Sequence, residues 1–105
     1  MIYNKLVRDL IPYQLVAKGK AVLWKDAKEE EILRYLAMKL REETTELINA
    51  KNNKEIIEEM ADVREVLDTI AKQFGIKEDE VIACQNMKRS KKGGFTKFFI
   101  LQKVD

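Results

Sequence analysis

A chain of 105 residues with 46% hydrophobic content amounts to one domain, residues 1–105, with apolar material for a modest core. A lone cysteine, Cys84, and the absence of histidine exclude an internal disulfide, a zinc cage and the usual serine–histidine or cysteine–histidine covalent catalysis. The sequence has neither a signal peptide nor an apolar run of membrane-spanning length, which points to a cytoplasmic, globular protein with no membrane contact; its net charge of +2 conceals +4 over residues 1–25, −7 over 26–82 and +5 over 83–105.

Residues 1–25 read as a lead-in. Pro12 opens a short helix through Ala17, proline being tolerated in a first helical turn, and Gly19 ends it. Lys20 to Lys25 (KAVLWK) is short, β-branched and aromatic, which predicts a strand. Asp26 is then a plausible N-cap, with Glu29 as its capping-box partner, for a long helix over 27–51. Asn52-Asn53 makes the turn, a second helix spans 54–74, and Gly75 closes it. So short a connection makes the two helices antiparallel neighbours.

A third helix runs from about residue 77 or 78 to Lys91, with Val81, Ile82, Cys84 or Gln85 and Met87 or Lys88 inward; Cys84 reads as a small buried apolar side chain. After Gly93-Gly94 the run FTKFFILQKV predicts a second strand, whose partner is KAVLWK. The fold expected is all-α: an antiparallel bundle of about three main helices, with a small two-stranded β appendage from the N- and C-terminal segments packed on it, since an isolated hairpin is marginal.

The acidic middle carries two clusters at helical spacing, Glu42-Glu43-x-x-Glu46 and Glu58-Glu59-x-x-Asp62. Residues three or four apart share a helix face, so Glu43 with Glu46, and Glu59 with Asp62, each make a two-carboxylate rake. On the first helix Leu33, Leu36, Leu40 and Leu47 define the apolar stripe, and at about 100° per residue Glu43 falls roughly 40° from its centre. A carboxylate stands where a leucine belongs. Glu42 points largely away. On the second helix Ile56, Met60, Val63, Leu67, Ile70 and Phe74 form the stripe, flanked on one side by Glu59 and Asp62. Facing each other, the rakes form a partly buried acidic pocket whose repulsion calls for a cation, Mg²⁺ or in its place Mn²⁺, both of which favour oxygen ligands. The competing account is a solvated polar face, which a chain with 36% charged residues also produces by chance.

Glu42-Glu43-x-x-Glu46, a twelve-residue gap and Glu59-x-x-Asp62 resemble the EExxE, spacer, ExxD signature of the all-α nucleoside triphosphate pyrophosphohydrolases, the MazG-like superfamily. Lys5-Leu6-Val7-Arg8-Asp9-Leu10-Ile11-Pro12 resembles the KLVRDKIP opening of one subgroup, and Lys92-Gly93-Gly94-Phe95 its closing RGGF, so the likeness spans nearly the whole chain. The sequence departs from that pattern at Leu10, where a lysine is usual, and at Thr44-Thr45 inside the first cluster.

With one serine, Ser90, and no nucleophile–base pair, water must be the nucleophile. The resemblance implies a Mg²⁺-dependent nucleotide pyrophosphohydrolase in which water attacks the α-phosphorus and releases a nucleoside monophosphate and pyrophosphate. Glu43, Glu46, Glu59 and Asp62 are the expected metal ligands; Glu42 and Glu58 either orient a water or face solvent. Lys5, Arg8, Lys88, Lys91 and Lys92 are the candidates for the substrate phosphates. The substrate is a nucleoside triphosphate, with phosphoribosyl-ATP as the alternative, and the protein works as a homodimer or homotetramer.

Two other classes stay open: a non-catalytic helical dimerisation or regulatory module, and a nucleic-acid-binding module using the basic ends. Against the latter, the chain has no recognition helix rich in base-reading residues and no aromatics interleaved in the basic cluster. Trp24, Phe95 and Phe98 are candidates to line a base pocket, or else core.

Overall fold

The computed structural model describes residues 4–105. Among these, four α-helices follow in order, α1 (Ile11–Ala17), α2 (Ile32–Ile48), α3 (Asn53–Gln73) and α4 (Glu78–Lys92), with a 3₁₀ turn at Glu29–Glu31 leading into α2. The chain divides into two compact units, the first ending at Ile70 and the second spanning Ala71–Asp105. Among the described residues no helix is long and apolar enough to cross a membrane.

Local chemistry sets the helix limits. α2 starts later than residue 27 because the Glu31 carboxylate accepts the Lys28 backbone N–H at 3.1 Å, so the cap falls on Glu31 and Lys28 rather than on Asp26 and Glu29. α2 stops at Ile48, where the Asn49 side chain donates to the Thr45 carbonyl. Four residues on, Asn52 caps α3: its Oδ1 accepts the Glu55 N–H at 2.9 Å, while the Glu55 carboxylate reaches back to the Lys51 N–H at 2.7 Å. At the far end Gly75 takes φ 63°, letting the Ile76 and Gly75 N–H groups bond the Ala71 and Lys72 carbonyls, a Schellman stop.

In the first unit the core is thin. Leu36 on α2 is 2% exposed and Val66 on α3 7%, with Pro12 of α1 also buried. Val66 lies outside the expected stripe of α3. The inward side of that helix is the Glu59–Asp62–Val66 side, turned roughly 80° from the stripe at about 100° per residue, and it leaves Ile56, Met60, Leu67 and Phe74 between 37% and 55% exposed.

In the second unit the expected inward residues of α4 are not buried: Val81, Ile82 and Met87 are about half exposed, and Cys84 is exposed too. They spread over roughly 220° of the helix circumference, too wide for one buried stripe.

The β appendage is not there: among the described residues no strand forms. Trp24 of KAVLWK is edge-on to the Tyr13 ring, centroids 5.6 Å apart, which ties that segment to α1 rather than to a ladder. In the tail Phe98 adopts φ 50°, breaking the extended run, and Phe95, Phe99, Ile100 and Leu101 are more than 80% exposed.

Candidate metal centre

Leu36 and Glu43 are seven residues apart, two turns of α2, and so share a face; Glu59, Asp62 and Val66 share the facing side of α3 by the same rule. The packing that buries the two apolar side chains therefore also draws the carboxylates together. Glu43, Glu59 and Asp62 each bring an oxygen within 4.8 Å of the other two, Glu43 buried at 8% exposure and the others half-buried.

Three cations border the cluster. Lys39, one turn before Glu43 on α2, stands 3.4 Å from its carboxylate and 3.3 Å from that of Glu42. From the lead-in, Lys5 reaches Glu42 at 3.3 Å and Arg8 reaches Asp62 at 2.7 Å. Beside them opens a cleft of about 280 Å³, lined by Leu6, Val7, Arg8 and Asp9, by Leu36, Lys39 and Glu43, and by Asp62, Glu65, Val66 and Thr69.

Charge crowding shows in the acid–base properties. Burial, then the hydrogen-bonding contact with Glu43, then the charges of Glu43, Asp62 and Glu46 push the Glu59 carboxyl up to about 7. Burial also raises Glu42, but hydrogen bonds and charge from Lys5 and Lys39 outweigh it and hold that carboxyl below its ordinary value. Oε2 of Glu59 is buried without a hydrogen-bond partner. An orphaned carboxylate oxygen beside two further carboxylates is a donor set suited to a hard divalent cation, with room for waters in the remaining positions.

Of the expected ligands, Glu43, Glu59 and Asp62 come together. Glu46 is exposed and outside the cluster, though its charge is felt at Glu59. Glu42 does not point away; it is half-buried and bonded to both Lys5 and Lys39, whereas Glu58 is exposed. Lys88, Lys91 and Lys92 are exposed on α4 in the second unit. Phe95 and Phe98 are exposed in that unit too, and Trp24 packs on Tyr13.

Lys39 was not singled out from the sequence. Its signal was present: a lysine one turn before a glutamate on the buried stripe. The two departures from the resembled pattern leave the cluster untouched. Leu10 is 65% exposed, and the Thr44 and Thr45 hydroxyls both donate to the Arg41 carbonyl at 2.9 Å.

A family model described as phosphoribosyl-ATP pyrophosphohydrolase matches residues 14–90, more than two thirds of the chain and inclusive of all three clustered carboxylates, though not of Lys5 or Arg8. No curated protein and no solved structure matches.

Proposed function

The chain belongs to the phosphoribosyl-ATP pyrophosphohydrolase family, enzymes that hydrolyse phosphoric anhydrides, and from that premise we propose that it is a Mg²⁺-dependent nucleotide pyrophosphohydrolase acting at the α–β phosphate bond. The carrying observation is the Glu43, Glu59 and Asp62 cluster with the orphaned Glu59 Oε2. When bound there, a divalent cation, Mg²⁺ or Mn²⁺, supplies Lewis-acid polarisation of the phosphate and a water of lowered pKa.

The chain's own residues do the rest. Glu43, Glu59 and Asp62 hold the cation, with Glu46 close enough to bias the site electrostatically. Water adds to the α-phosphorus and gives up a proton to solvent, the bond from that phosphorus to the bridging oxygen breaks, and pyrophosphate departs with that oxygen and its electron pair. Lys5, Arg8 and Lys39 beside the cluster are the cations for the charge gathering on the leaving pyrophosphate. Glu42, fastened by Lys5 and Lys39, keeps those two cations at the rim. A nucleoside triphosphate and phosphoribosyl-ATP fit the family description equally as substrates.

The exposed apolar side of α3 and the apolar tail support a homodimer or homotetramer, in which a second copy covers what one chain leaves open.

Phosphorus NMR on the protein with Mg²⁺ and a panel comprising nucleoside triphosphates and phosphoribosyl-ATP tests this, with Asp62→Asn as control. Pyrophosphate appearing with the corresponding monophosphate, and lost in the control, is the expected result and ranks the substrates. Orthophosphate with a diphosphate refutes cleavage at the α–β bond.

A further inference from the structure

We propose that the KLVRD segment is a built-in cation strap: Arg8 holds Asp62 while the metal is away, and gives it up for a substrate phosphate when cation and nucleotide enter. This inference rests on the metal-binding reading above. Of the three clustered carboxylates, Glu43 is paired with Lys39, Asp62 with Arg8, and Glu59 has an oxygen without a hydrogen-bond partner.

The two cations differ in how they are held. Lys39 is on α2 itself, one turn from its partner, and its side chain is 18% exposed. Arg8 arrives from 54 residues away on a segment with no helix of its own, and its side chain is 56% exposed. One is fixed on the helix that carries its partner; the other is an exposed charge on a non-helical segment. The half-buried Leu6 and Val7 seat that segment in the cleft, so a guanidinium released from Asp62 stays within the volume a nucleotide would enter.

Competition follows from valence. An Asp62 oxygen that accepts a guanidinium N–H at 2.7 Å is a weaker metal ligand, and the guanidinium charge repels an incoming divalent ion, so Arg8 competes with the metal for Asp62. A planar fork of N–H donors suits phosphate as well as it suits carboxylate, which gives the displaced Arg8 its next partner. Nucleotide then removes the competitor, and metal and nucleotide each tighten the other's binding, as linkage requires. Lys5 plays the lesser part, since its partner Glu42 lies outside the three-carboxylate cluster.

The test is Mn²⁺ binding without nucleotide, read by electron paramagnetic resonance at low salt, on the full chain and its Arg8→Gln and Lys5→Gln variants, each checked for helicity. Arg8→Gln is expected to bind Mn²⁺ about threefold or more tightly than wild type, with Lys5→Gln changing by less. An α,β-methylene nucleoside triphosphate is expected to tighten Mn²⁺ binding in wild type and to do so less in Arg8→Gln. Equal or weaker Mn²⁺ binding by a folded Arg8→Gln overturns the strap while leaving the metal site standing. No Mn²⁺ binding by wild type or either variant overturns both. Should Arg8→Gln fail to fold, the Arg8 side-chain Nε–H resonance of wild type decides: a shift on Mg²⁺ addition supports the exchange, and an unmoved signal under saturating Mg²⁺ refutes it.

Discussion

Metal binding should weaken steeply with acid because Glu59 must lose its proton first. Burial, the contact with Glu43 and the surrounding charges of Glu43, Asp62 and Glu46 push its carboxyl up to about 7. At pH 5 about one molecule in a hundred then carries Glu59 ionised, so apparent Mn²⁺ affinity should fall about a hundredfold between pH 8 and pH 5. A glutamate titrating near its ordinary value of about 4.3 would lose less than a factor of about 1.3 over the same interval. Calorimetric titration of Mn²⁺ at unit pH steps measures the profile, and repeating it in buffers of different ionisation enthalpy counts the protons released, close to one per site near pH 6. Glu59→Gln should bind weakly at every pH, with the profile largely flattened. An affinity that changes less than about threefold from pH 8 to pH 5 in wild type refutes the crowding of charge on which the site is built. For the metal-free protein the sign reverses. Between about 4.3 and 7 the folded state holds a proton that the unfolded state has lost, so Glu59 adds stability at low pH that disappears as pH rises through about 7.

Leu36→Ala should remove about 2–5 kcal/mol of stability and lower the melting temperature by more than about 10 °C, because Leu36, 2% exposed, is buried in the thin core of the first unit; the 99% exposed Leu23, changed to Ala, should leave it where it was. Lys39→Gln leaves the buried Glu43 without its 3.4 Å cation and should destabilise the metal-free protein by about 1–3 kcal/mol, a loss that saturating Mn²⁺ recovers in a thermal melt. Deleting residues 95–105 should lower the number of copies per particle, read by light scattering against the calculated chain mass, while helical circular dichroism is kept, since Phe95, Phe98 and Phe99 are more than 80% exposed; an unchanged number of copies excludes the tail from self-association.

What the sequence made legible was local. Glu43 on a leucine stripe announced a buried carboxylate, and helical spacing with a short turn placed Glu59 and Asp62 opposite it. Glycine and asparagine mark the helix ends: Gly75 stops α3, whereas Asn52 starts that helix as its N-cap and α2 stops earlier, at Ile48, beside Asn49. What stayed hidden depends on partners in space. The apolar stripe of α3 passes through its most apolar residues, yet the inward side runs through Val66, two carboxylates and Thr69, so much of the stripe is left exposed. KAVLWK and FTKFFILQKV have the composition of strands, but pairing depends on a neighbour: among the described residues no strand forms, Trp24 packs on Tyr13, and Phe98 turns to φ 50°. The reach of Arg8 to Asp62 leaves no periodic trace in either segment.

That long reach also bears on the order in which the molecule assembles. α2 and α3 are local structures that form within about a microsecond once their residues are available, whereas closing the 54-residue separation between Arg8 and Asp62 carries a loop entropy that only a nearly finished structure repays. The strap therefore docks late, and for an interval the two acidic faces approach each other with Asp62 uncovered. Dissolved cations stand in for Arg8 during that interval, so refolding should quicken as ionic strength rises from about 0.01 to 0.15 M, over which range the screening length shortens from about 30 to 8 Å.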